Sequence, residues 1–169
     1  MNDQTNELLR AFYARRRAFE DCFASVEFHT LVATDGHATC PCCGYPTLGE
    51  RARYYICEIC NWEDDGQDDP EFAREDYNCG SDQVAGGPNS DYSLTEARLN
   101  FQEYRQVYRP SDTRAFERTN ENRALRDDLV AIYDALLPHV SAARYSECLP
   151  SINASSKLIS DDLSRRLRN

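Results

Sequence analysis

The chain has 169 residues, 41% of them hydrophobic, enough for one ordinary buried core. Lys and Arg total 19 against 29 Asp and Glu, a net charge of -10, and so acidic a chain repels phosphate backbones, which argues against nucleic acid as a partner. The opening MNDQTNELLR has no apolar stretch behind a basic start, and no run approaches the roughly 18 apolar residues of a membrane span, so a soluble, cytoplasmic protein without a membrane role is expected.

In chain order, Leu8, Leu9, Phe12, Tyr13, Phe19, Cys22 and Phe23 recur at helical spacing over residues 5–23, with Arg15, Arg16 and Arg17 mostly on the other side. Residues Phe28 to Val32 are β-prone and short, a strand or a connector, and Asp35-Gly36 signals a turn. Thr47-Leu48 and Arg53-Tyr54-Tyr55-Ile56 then read as two strands of a hairpin separated by Gly49-Glu50. From Gln67 to Asn89 there are too few aliphatic residues for a core, and a loop held by its neighbours is expected.

Ser93-Leu94-Thr95-Glu96 has the capping-box form. Leu94, Ala97, Phe101, Tyr104 and Tyr108 mark the buried face of the helix it starts, with Pro110 just beyond the end. A second helical region carries Leu125, Leu129, Ile132, Tyr133, Leu136 and Leu137 before Pro138. The polar sequence after Pro150 reads as a tail with a short helix from Ser160, docked or disordered. The expected fold is α+β, a small zinc-ribbon-like β-hairpin module packed on a mainly helical body. Its segments are an N-terminal helix and connector (1–34), a metal-binding domain (35–118) and a C-terminal helical extension (119–169).

Eight cysteines do not form a disulfide scaffold here, because such scaffolds belong to shorter secreted chains and four of these cysteines fall in two close pairs. Cys40 and Cys43, thirteen intervening residues, then Cys57 and Cys60 give C-x2-C, a hairpin-length spacer and C-x2-C, which is specific for a tetrahedral thiolate site. Two residues between thiolates let the chain wrap an ion at about 2.3 Å, and Gly44 tolerates the positive φ such a turn needs. Cys42, adjacent to Cys43 with a diverging side chain, is the spacer. Four thiolates leave no open position, so the ion is structural; zinc is expected, with iron as the alternative.

Glu58 to Asp76 hold nine acids and one base, a net of -8. Within this run Glu63, Asp64, Asp65, Asp68 and Asp69 lack the spacing of a calcium loop, and they read as a solvated face that presents negative charge to a basic protein. Trp62 is either an anchor for that contact or a cap packed on the metal module, packing being favoured. Cys22 and Cys148 read as buried hydrophobes and Cys79 as the exposed thiol. His29, His37 and His139 read as surface or satisfied histidines. Arg15, Arg16 and Arg17, with Arg165, Arg166 and Arg168, read as solvated helix faces that pair with the chain's own acids. No serine or cysteine is paired with a recognisable base, which leaves catalysis unsupported.

Taken together, Cys40-Pro41-Cys42-Cys43-Gly44-Tyr45, Tyr55-Ile56-Cys57-Glu58-Ile59-Cys60, Trp62-Glu63-Asp64-Asp65, Gly86-Gly87-Pro88-Asn89, Ser93-Leu94, Glu96-Ala97-Arg98 and Asn100-Phe101 resemble the bacterial cysteine-rich CPCC family. The resemblance implies a small bacterial accessory protein, of a kind that in some cases sits near toxin genes, and implies no established activity. The flanking helices, and Glu58 in the second pair where a proline is frequent, depart from it. Asn89 and Asn100 are expected to tie the acidic loop to the helix through backbone hydrogen bonds.

The functional expectation is a non-catalytic, zinc-stabilised protein that binds another protein through its acidic surface, most concretely an immunity protein that neutralises a basic toxin. An enzyme or redox protein using the acidic run or free thiols, and a zinc-ribbon nucleic-acid module, are the alternatives.

Overall fold

The computed structural model describes residues 3–32, 37–72, 87–115, 120–166 and 168. Its helices are α1 (Asp3–Phe23), α2 (Val26–Leu31), α3 (Leu94–Tyr104), α4 (Asn120–Leu136) and α5 (Ala142–Arg166), with a 3-10 turn at Leu137–His139. The turn expected at Asp35-Gly36, Cys79 and most of the loop before Asn89 lie outside the described residues.

The amphipathic pattern forms α1, but two of the arginines expected on its solvated side are buried: Arg15 and Arg16. The reason is positional. Residues 12, 15, 16, 19 and 23 recur at i, i+3, i+4, i+7 and i+11, so both arginines share a stripe with Phe12, Phe19 and Phe23. Only Arg17 of the three is exposed, pairing with Glu71 at 2.7 Å.

The segment read as a strand or connector is helical. Ser25 caps α2, its Oγ accepting the Phe28 N–H at 3.2 Å, and Phe28 packs on Phe23 with ring centroids 4.7 Å apart. A good cap and one buried aromatic outweigh the β-propensity of a six-residue stretch.

No strand is found among the described residues, and the two segments expected to pair as a hairpin pair elsewhere. Leu48 bridges to Ala38 and Ile56 to Glu63. Each segment closes the loop of its own cysteine pair: Ala38 and Leu48 exchange both backbone bonds across the first, while the N–H of Asp64 reaches Tyr55 O and that of Tyr54 reaches Asp64 O across the second. These pairings are no shorter in the chain than the expected hairpin; each is set instead by the reversal of the chain around its own cysteine pair.

Ser93 caps α3 as the capping signal predicts, Oγ accepting the Glu96 N–H at 3.2 Å. The helix ends earlier than the apolar spacing suggests. Arg105 adopts φ 59° and caps it, and the chain turns so that the Val107 N–H reaches Cys60 O at 2.9 Å. Asn100 Nδ2 donates to Val107 O at 2.7 Å and fixes that turn.

The tail expected after Pro150 is part of one long helix that runs through the proline. Residues 142, 145, 149, 152, 156, 159 and 163 alternate steps of three and four along α5. Of these, Ala142, Tyr145, Ile152 and Ile159 are buried, while Leu149 and Leu163 pack at the margin. That stripe lies along α4, which buries Leu129, Val130, Tyr133 and Leu136. The polar residues that dominate the composition occupy the other face.

The core is joined through rings. Tyr45 of the cysteine region lies 5.6 Å from Tyr133 of α4 and 6.4 Å from Phe101 of α3, and Tyr133 lies 5.8 Å from Phe19 of α1. Residues of all three expected segments therefore share one buried cluster. No helix among the described residues is long and apolar enough to cross a membrane.

Candidate metal centre

Both cysteine loops have the same build. The Cys40 N–H bonds Tyr45 O and the Gly44 N–H bonds Cys40 O; in the second loop the Cys57 N–H bonds Trp62 O and the Asn61 N–H bonds Cys57 O. The residue after each second cysteine is left-handed, Gly44 at φ 78° and Asn61 at φ 69°, and asparagine is among the few side chains that take this conformation readily. A Cβ at Gly44 would also meet the Phe12 ring at 3.3 Å, so α1 depends on glycine there.

These loops bring together Cys40, Cys43, Cys57 and Cys60, all fully buried, with their sulfurs within 4.8 Å of one another. The Cys40–Cys60 and Cys43–Cys57 sulfur pairs are each 3.6 Å apart, close to the ~3.8 Å edge of a tetrahedron with metal–sulfur bonds of about 2.3 Å. Backbone N–H groups approach the sulfurs, Cys60 N to Cys57 Sγ at 3.5 Å and Trp62 N to Cys60 Sγ at 3.4 Å, and Thr47 Oγ1 lies 3.0 Å from Cys57 Sγ. Cys42 is buried outside the four-sulfur group.

The ionisation of the group suits a cation. Burial pushes the Cys40 and Cys60 thiols well above their ordinary range. Burial acts on Cys57 in the same sense, but hydrogen bonds from Cys40, Cys43, Cys60 and Thr47 hold it well below. A divalent thiophilic ion would bind such a group by displacing the thiol protons. The donor set, spacing and burial fit such an ion.

Residues 38–121 match the model of the cysteine-rich CPCC family. This region of the chain belongs to that family. No curated protein and no solved structure matches the chain. The CPCC motif is the first of two equivalent cysteine loops, and the four cysteines they bring together form a group that could hold a metal ion.

The acidic run does not form the solvated face expected of it. Trp62, Asp64 and Asp68 are 0% exposed and Asp69 is buried, while Glu63 and Asp65 are half-buried. Asp68 receives Arg16 Nη1 and Nη2 at 2.6 Å each and Arg51 Nη1 at 2.6 Å. Asp64 receives Arg51 Nε at 2.8 Å and the Ala52 N–H at 2.7 Å, and Asp69 pairs with Arg98 at 2.7 Å. Although burial opposes it, the two guanidiniums hold Asp68 below the usual carboxylate range. Carboxylates that face arginines in the core are structural ties, so the charge of Asp64, Asp68 and Asp69 is spent inside the molecule, whereas Glu71 is exposed. Trp62 packs and does not anchor.

Asn89 ties the run down, Oδ1 accepting the Glu63 N–H at 3.1 Å and Nδ2 donating to Glu63 O at 2.8 Å. Cys22 is buried and Cys148 half-buried, while His29 and His139 are exposed. His37 is half-buried among the Phe23, Phe28 and Tyr145 rings, its Nδ1 3.2 Å from Tyr145 Oη. Missed by sequence reasoning were the buried arginines, Arg15, Arg16, Arg51, Arg98 and Arg126. Helical position gave a signal for the first two and for Arg98, one residue after buried Ala97; none exists for Arg51.

Proposed function

We propose that the protein is a non-catalytic, zinc-stabilised module that binds another protein. Carrying this reading is the complete burial of all four cysteines around one another: a tetrathiolate closed on every side offers no position to water or substrate, so its ion supplies folding energy. Zinc is favoured over iron by the ligand set.

The contact surface lies at the exposed run Tyr54-Tyr55-Ile56, whose side chains are 61%, 50% and 60% exposed. Three consecutive large apolar side chains beside a rigid site form a patch of the sort that marks an interface. Tyr54 also holds φ 59°, a conformation costly for a bulky residue and kept because its N–H is pinned to Asp64 O. The most concrete form of the reading is an immunity protein against a basic toxin. Its support is the net charge of -10, which speeds capture of a cationic partner. Arg15 and Arg16 are buried and Arg165 and Arg166 lie against Asp162, which speaks against a nucleic-acid module.

Metal analysis of the purified chain is expected to give one zinc per chain, and a red, iron-containing protein would move the reading to electron transfer. Co-expression with the product of the adjacent gene is expected to yield a complex that Ile56→Asp abolishes without changing the melting temperature. Absence of any complex, and of protection against that product, would overturn the protein-binding reading.

A further inference from the structure

Three buried arginines reach the backbone of the cysteine loops, each from a different helix. Arg15 of α1 donates Nε to Cys43 O at 2.8 Å. Arg98 of α3 donates Nε and Nη2 to Pro41 O at 3.0 and 2.9 Å. Arg126 of α4 donates Nε to Glu58 O at 3.0 Å. The acceptors lie within the two chelating loops, two of them immediately beside a cysteine and the third belonging to one. Arg98 and Arg126 are 1% exposed and Arg15 9%.

A neutral donor would satisfy a carbonyl at far lower cost. Burying a guanidinium costs several kcal/mol unless negative charge lies nearby. Asp69 answers part of the Arg98 charge. Glu58, whose carboxyl is pushed up by burial and pulled down by Arg126, answers part of the Arg126 charge, and a divalent ion held by four thiolates would add negative charge on the loops that all three arginines reach, since it is a dianion. The rings on which the arginines lie, Tyr45 for Arg15 at 4.5 Å and Phe12 for Arg98 at 4.2 Å, fix the guanidinium planes and exclude water from the carbonyls.

We propose that Arg15, Arg98 and Arg126 are positioning residues of the metal centre: they hold the carbonyls of both chelating loops and balance the charge of a divalent tetrathiolate. This inference rests on the metal-binding reading and extends it, because it makes the loaded state depend on three helices outside the loops. It also gives the site a preference in charge. A guanidinium bonded to the backbone of these loops favours the dianion over a monoanion, and in an iron-loaded form it favours the ferrous state over the ferric, the electron coming from the electrode.

The full chain is loaded separately with zinc and iron, as parent and as Arg15→Met, Arg98→Met, Arg15→Lys and Arg98→Lys. In chelator competition the Met variants are expected to lose about 10- to 100-fold in zinc affinity, the usual cost of removing an outer partner of a metal site. In the iron-loaded form their midpoint potential is expected to move in the negative direction, while the Lys variants, which keep the charge, stay near the parent. Should Arg98→Met fail to fold by near-UV circular dichroism, Arg15→Met, at the less buried edge, carries the test. Folded Met variants that keep the parent's potential would overturn the charge role, and unchanged zinc affinity would overturn the positioning role. A parent that takes up neither metal would overturn the metal reading itself, whereas a loaded parent matched by all its variants would overturn this inference alone.

Discussion

Asp68 shows what burial does to a charge. It faces Arg16 and Arg51 with no solvent contact, so Asp68→Ala takes from buried Arg16 its close carboxylate and leaves Arg51 with Asp64, and it is expected to cost about 3–5 kcal/mol. Glu71, which pairs with Arg17 at a similar distance but in solvent, is the control; Glu71→Ala is expected to cost under about 1 kcal/mol. Urea denaturation of both variants measures the difference, and equal losses would refute the distinction. His37 supplies a pH dependence. Burial among three rings lowers its pKa in the folded state, whereas the unfolded chain protonates it at about pH 6.5. Below that pH the unfolded state binds more protons, so the contribution of His37 is complete above about 6.5 and is lost as pH falls towards the folded pKa. Glu58, pushed up to about 6 by burial, acts in the opposite sense, its folded form holding a proton that the unfolded chain releases. The readout is therefore the difference between parent and His37→Phe, expected to shrink the loss of stability on acidification. The gathering of the four cysteines was legible from their two C-x2-C pairs, the spacing that a shared metal would require. Asp64, Asp68 and Asp69 were not, since a carboxylate's burial depends on arginines as far away as Arg16 and Arg98.

At the scale of elements, α1, α3 and α4 were legible because their apolar residues recur at helical spacing, and α3 also because its cap is local. The end of α3 was hidden: what stops it is a hydrogen bond to Cys60 O, 47 residues away in the chain. The hairpin was misread because propensity marks an extended segment without naming its partner. Pro150 misled most, since a proline ordinarily ends a helix, yet the α4-facing stripe continues on both sides of it. The ring must then be carried at a cost, and Pro150→Ala is expected to stabilise the protein by up to about 3 kcal/mol. Thermal melting checks this, each kcal/mol corresponding to about 2–4 °C for a chain of this size. A lower melting temperature would mean that packing requires the proline's bend.

For the whole molecule, the metal module is not an appendage. Its loops are held by Arg15, Arg98 and Arg126 from three helices, and Tyr45 sits between α3 and α4. Apparent binding free energies of about 10–16 kcal/mol for structural zinc match or exceed the stability of a typical domain. Chelation of the loaded chain is therefore expected to lower helical circular dichroism across the protein in one cooperative step, and Cys57→Ser to do the same. Loss confined to the cysteine region, with the helical signal intact, would refute that coupling. The net charge of -10 counts differently at this scale than in the sequence, because Asp64, Asp68 and Asp69 are neutralised internally by buried arginines.

The bonds that close over the two loops also impose an order in time. Cys60 is the last of the four thiols to leave the ribosome, and Arg98, Val107 and Arg126, which bond Pro41, Cys60 and Glu58, are synthesised after it. Because domains assemble from what has already emerged, an ion captured early would sit in an open, exchangeable nest of sulfurs and would be enclosed only once α4 has been made.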